Sequence, residues 1–232
     1  MKVRILVEAH TEKYKGNLEP LIEKLKNEVS GYNTSEELLV IPGDLGVLVN
    51  DECCINEDYV NFLKFLKQHW DNIILVPGND EYHGIQNPET FEITENALEK
   101  ICKTLKITYL QKNMTKVGEY YVLGCTLWRY ITKKEWSNTM EEDKDMFLNM
   151  ELYRMAYANH LEWLDDALEY VRYKKGKAIV VTHFPPETTS KFMKNKVYAS
   201  HIDKFLDIHK DVIKLWISGK YGPDDENVHH HN

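Results

Sequence analysis

Residues 73–81 read Ile73-Ile74-Leu75-Val76-Pro77-Gly78-Asn79-Asp80-Glu81, and the order of these residues decides the fold. Aliphatic, β-branched side chains fit a strand buried on both faces. Pro77 cannot donate to a ladder and Gly78 turns freely, so the strand stops there. Polar residues follow at once. The same grammar recurs at Leu38-Leu39-Val40-Ile41-Pro42-Gly43-Asp44. It recurs more loosely at Val3 to Val7 before Glu8-Ala9-His10, and at Ala178 to Thr182 before His183.

Between these runs the apolar spacing changes from strand-like to helical. Leu18 to Val29, Tyr59 to His69, Thr90 to Leu105, Tyr153 to Tyr173 and His201 to His209 read as helices. Tyr120 to Cys125 and Val212 to Ile217 read as further strands. Trp128 to Met150 is aromatic and polar and takes no clear assignment. Strands alternating with helices predict an α/β layered fold. In such sheets ligands gather beyond the carboxyl ends of the strands. Glu8, His10, Asp44, Asn79, Asp80 and His183 would then share one rim. That mixed nitrogen and oxygen set suits a divalent transition metal or magnesium.

The bulk properties bound the rest. The 232 residues suffice for one α/β domain, and no Pro/Gly/Ser-rich linker or repeat divides them. The formal net charge of −8 argues against nucleic acid or an anionic membrane as principal partner. Cys53, Cys54, Cys102 and Cys125 form neither a disulfide framework nor a C-x-x-C site, so reduced thiols are expected. No apolar run approaches membrane-spanning length. A cytoplasmic protein is the expectation.

The motifs resemble those of the calcineurin-like metallophosphoesterase family. That family carries D-x-H, G-D, G-N-H-E/D, a lone His and G-H-x-H, in this order. The matching segments are Glu8-Ala9-His10, Gly43-Asp44, Gly78-Asn79-Asp80-Glu81, His183 and Gly219-Lys220-Tyr221-Gly222. Gly124-Cys125-Thr126-Leu127-Trp128, Val180-Val181-Thr182-His183 and Leu215-Trp216-Ile217 resemble flanking segments of the small bacterial-type members. The resemblance spans residues 1–232 and implies a layered β-sandwich flanked by helices, with the usual C-terminal strands shortened or missing.

It also implies chemistry. Two cations lower the pKa of a water and stabilise phosphate oxygens. Carried over by position, Glu8 and His10 would hold a first ion, Asp44 would bridge, and Asn79 and His183 would hold a second. One or two ions of Mn, Fe, Zn or Mg are implied.

The sequence departs from the family at four of these positions. Glu8 replaces Asp and lengthens the side chain by one methylene. Asp80 fills the slot of the catalytic His, where a carboxylate is a poor general acid unless its pKa is raised. Lys220 and Gly222 replace two ligand histidines. An ammonium has no lone pair to offer a metal, but it can hold phosphate as a point charge.

Asp224, Asp225 and His229, His230 and His231 read as a solvated end; the sharper alternative folds them back as replacement ligands. His83 reads as a rim residue or a displaced acid. His69, His160, His201 and His209 read as surface or packing residues. Trp128, Tyr130 and Trp136 read as packing or as a substrate-pocket wall.

Two functions therefore stand. One is a metal-dependent phosphoesterase with a partly lost dimetal site, acting on a phosphate-ester small molecule or a phosphoprotein. The alternative is an inactive pseudo-phosphoesterase that serves as a binding or scaffold protein for a protein partner.

Overall fold

The computed structural model describes residues 2–49, 54–83, 90–137, 147, 149–186 and 202–220. Two four-stranded sheets face one another. The first runs β1 (Lys2–Ile5), β2 (Glu37–Pro42), β3 (Asn72–Val76) and β4 (Thr108–Tyr109), all parallel. The second runs β5 (Asn113–Val117), β6 (Tyr120–Cys125), β7 (Lys177–Thr182) and β8 (Ile213–Ser218). Here β5 pairs antiparallel with β6, and the other pairs are parallel.

Strand alternation builds the layers. Leu38, Val40, Ile74 and Val76 point one way and meet Val122, Ile179, Val181 and Ile217 of the other sheet. Their neighbours Leu39, Ile41, Ile73 and Leu75 point outward onto helices α1 (Glu19–Glu28), α2 (Glu57–His69) and α3 (Thr90–Leu105). On the second sheet Leu123, Ala178 and Val180 meet Leu164, Ala167, Leu168 and Val171 of α5 (Met150–Tyr173). Among the described residues the short α4 (Lys133–Ser137) and α6 (Asp203–His209) are the other α-helices. This is a mixed α/β sandwich flanked by helices, as the sequence predicts. Truncating the buried inter-sheet Ile74 to Ala costs about 2–5 kcal/mol.

Two of the helices begin where an asparagine side chain caps them. Asn56 Oδ1 accepts from Asp58 N at 3.0 Å before α2. Asn149 Oδ1 accepts from Glu151 N and Leu152 N at 3.0 Å each before α5. These bonds satisfy donors that a helix start leaves open. The predicted strand over Val3 to Val7 stops at Ile5 instead. Leu6 N still bonds Val40 O at 3.0 Å, but Glu8 and His10 turn to positive φ and leave the sheet.

Candidate metal and phosphate site

Five loops leave the sandwich at one end and converge. They follow β1, β2, β3, β7 and β8, so both sheets contribute. Glu8, His10 and Asp44, three of the candidate residues, sit at φ of 48°, 48° and 54°. Positive φ in a residue with a side chain is strained and is tolerated where the surroundings demand it.

Glycines let the loops touch. A Cβ on Gly43 would lie 2.4 Å from His183 Nδ1 and 2.6 Å from the Gly78 backbone. One on Gly219 would lie 2.0 Å from Pro42 O. The fully buried Glu81 carboxylate then ties two loops together. It accepts from Gly78 N (2.6 Å), Asp44 N (3.0 Å) and Leu45 N (2.7 Å). Burial, aided by the charge of Asp44, lifts its pKa to about 8.

Asp44, Asn79, His183 and Lys220 form the inner half. Asp44, Asn79 and His183 are buried. His183 Nδ1 lies 2.9 Å from Pro42 O, a carbonyl that only accepts, so Nδ1 carries a proton. Nε2 lies 3.0 Å from Asn79 Oδ1 and 3.3 Å from Asp44 Oδ1. Asn79 is oriented by its Nδ2, which donates to Asp80 Oδ1 at 2.8 Å. Burial pushes the His183 pKa down, though Asp44 opposes it. One ring nitrogen thus faces two oxygen acceptors, an arrangement met either by a proton on Nε2 or by a cation, while Asp80 N also donates to Asp44 Oδ1 at 3.2 Å. The imidazole, amide and carboxylate donor set fits a divalent cation.

Lys220 enters from the last loop. Its backbone N bonds His183 O at 2.8 Å, and its Nζ donates to Asp44 Oδ2 at 2.7 Å. Burial disfavours the ammonium, but Asp44 and Asp80 outweigh it and hold the pKa above the usual lysine value. The charge is therefore fixed. It stands beside the carboxylate that the resemblance makes a metal bridge.

His10, Glu12 and Asp80 form the outer half. His10 Nδ1 is 3.0 Å from Asp80 Oδ2 and 3.4 Å from Glu12 Oε1, and neither contact is aligned as a hydrogen bond. Asp80, then Glu12, raise the His10 pKa to about 9 against the opposing effect of burial. Burial pushes the Asp80 carboxyl up, but His10 and the Lys220 charge hold it well below the usual carboxylate range. An ionised Asp80 is an acceptor at neutral pH and has no proton to give. The His83 ring stands 3.5 Å from Asp80 Oδ1.

Glu8 is half-buried, and its charge is felt by Lys220. The structure therefore splits the set predicted from sequence. His10 faces Asp80 and Glu12, whereas Asp44, Asn79 and His183 face one another. His201, Gly222, Asp224, Asp225 and the three terminal histidines lie outside the described residues.

Two contributors had no predicted role, Glu12 and Glu81. The alternation Glu8, His10, Glu12 is the signal that points to the first. Trp128 is buried against Tyr82, Phe184 and Tyr153 and buttresses the loops of Asp80 and His183. Tyr130 is exposed under Arg154.

Among solved structures the fold resembles a phosphopantetheinyl hydrolase from Mycobacterium tuberculosis. That comparison gives 15% identity and a TM-score of 0.62, over 94% of this chain and 81% of that one. A candidate 5′-nucleotidase from Staphylococcus aureus, solved with α-ketoglutarate, matches at 11% identity and a TM-score of 0.52. There the match covers 93% of this chain and 44% of the other. No family model and no curated protein sequence matches the chain. The chain thus shares the two-sheet α/β architecture of these structures.

Proposed function

We propose that the chain is a metal-dependent phosphoesterase with a remodelled site, acting on a phosphomonoester or phosphodiester. The observation that carries this reading is the buried convergence of His183 Nε2, Asn79 Oδ1 and Asp44 Oδ1, with Nε2 at 3.0 and 3.3 Å from the two oxygens. Those residues would hold a divalent ion, which supplies charge neutralisation to a bound phosphate ester. The two architectural neighbours bear names of phosphate-ester hydrolases, in keeping with this reading.

The chain's own residues supply the rest. Lys220 has three N–H donors, and Asp44 takes one of them. The others can bind a phosphate oxygen, so a fixed ammonium takes the place of a family ligand histidine. Asp44 keeps that ammonium in register. Glu81 locks the backbone at Asp44 and Gly78, which fixes where both loops stand.

The test is elemental analysis of the purified protein, with turnover of 4-nitrophenyl phosphate and bis(4-nitrophenyl) phosphate in added manganese. Retained metal and turnover abolished by Asp44→Ala support the proposal. Protein that holds no ion and turns over neither ester with any divalent metal sinks it.

One observation favours the second reading, a binding protein without turnover. The Lys220–Asp44 pair already neutralises the central carboxylate. A phosphoprotein or other partner captured equally well by Asp44→Ala would support that alternative.

A further inference from the structure

We infer that His10, Glu12 and Asp80 form a separate divalent-cation position, in which Glu12 and Asp80 replace ligands that the last loop no longer offers. The inference rests on the metal-dependent reading above but concerns different side chains.

The distances carry it. A first-row cation binds nitrogen and oxygen at about 2.1 Å, so neighbouring ligand atoms stand roughly 3.0 Å apart in octahedral and 3.4 Å in tetrahedral geometry. His10 Nδ1 stands 3.0 Å from Asp80 Oδ2 and 3.4 Å from Glu12 Oε1. All three atoms lie within 4.8 Å of one another. The three side chains already stand close enough for one ion to gather them with small shifts. Neither contact at His10 Nδ1 is aligned as a hydrogen bond, an alignment that a shared ion would not require.

The support around the position is specific. Each carboxylate has one oxygen anchored and the other turned to His10. Asp80 Oδ1 accepts from Asn79 Nδ2 at 2.8 Å, which leaves Oδ2 for the ion. Glu12 Oε2 accepts from Val47 N at 3.4 Å, which leaves Oε1. Such outer contacts orient metal ligands. Gly46, at φ 153°, makes the room: a Cβ there would lie 2.8 Å from Glu12 Oε2 and 2.3 Å from Thr11 Oγ1.

Two carboxylates and one imidazole balance a divalent charge, and their donor types suit Mn, Fe or Zn. The side chains keep 14–28% of their surface exposed, so the remaining positions are open to water or to a substrate oxygen.

The experiment uses chelator-stripped protein titrated with manganese, read by calorimetry and by the electron paramagnetic resonance signal of free manganese. Two ions per chain are expected in the parent. Glu12→Gln and Asp80→Asn should each weaken one of them by at least about tenfold. His183→Ala should lose the other ion and spare this one. Thermal melting of each variant in chelator checks that it folds.

If Glu12→Gln and Asp80→Asn bind as many ions as the parent, with affinity within twofold, the inference is overturned while the phosphoesterase reading stands. A single ion lost on His183→Ala and kept in Glu12→Gln has the same meaning. A single ion lost in Glu12→Gln but kept in His183→Ala sustains the inference and instead overturns the inner half.

Discussion

Replacing Lys220 by Met removes the ammonium 2.7 Å from Asp44 Oδ2 and leaves a fully buried carboxylate with one fewer donor. At that separation the gross attraction is about 6 kcal/mol with an effective dielectric of 20, before desolvation is subtracted. Removing one partner of a buried pair costs about 3–5 kcal/mol, because the other charge stays buried and uncompensated. For a chain of this size each kcal/mol moves the melting temperature by about 2–4 °C.

Lys220→Met should therefore melt about 6–20 °C lower than the parent, both in chelator. Adding Asp44→Asn removes the orphaned charge, and the double variant should recover most of the loss. The assay is a double-mutant cycle by circular dichroism. A melting point for Lys220→Met within about 1 °C of the parent, or simple additivity in the double variant, would refute a buried, energetically coupled pair.

Three other outcomes follow from the same geometry. His160 is buried, accepts from Leu127 N at 3.1 Å, and has its pKa pushed by burial to about 3. The unfolded chain thus binds the extra proton between about pH 6.5 and pH 3. The stability this ring contributes is complete above that window, falls by about 1.4 kcal/mol per pH unit within it and levels off beneath it, a slope that His160→Asn should remove from urea unfolding curves.

Glu81→Ala leaves the N–H groups of Gly78, Asp44 and Leu45 without their acceptor. The expected cost is at least about 3 kcal/mol in denaturant titration, with manganese binding weakened as the loops separate. Gly43→Ala forces a Cβ onto His183 at positive φ. It should lose at least about 1–3 kcal/mol, and near-parental stability would count against the close packing of these loops.

The strands ending in Pro-Gly were legible because aliphatic runs and helix-breaking pairs act locally. Thus β2 and β3 fall within a residue or so of the predicted bounds. The short β4 and β5 were not legible. Thr108–Tyr109 is only two residues long, and Asn113–Val117 is polar and partly exposed at a sheet edge. Such strands are defined by their neighbours, not by their own pattern.

The same division runs through the candidate site. Asp44, Asn79 and His183 were visible from their places after strands. The partnership of Lys220 with Asp44 was not, because 176 residues separate them and only the facing of two sheets joins them. Nor was Glu12, whose role depends on the room left by Gly46.

That long separation has a consequence for how the chain acquires its structure. Asp44 and Asn79 follow strands of the first sheet, while His183 and Lys220 follow strands of the second. The first sheet and its helices can collapse from local contacts, but sealing Asp44 away from water must wait for a counter-charge translated much later. Pairings so distant in sequence form slowly. The pair can close only once β8 lies beside β7, the pairing that brings Lys220 to Asp44.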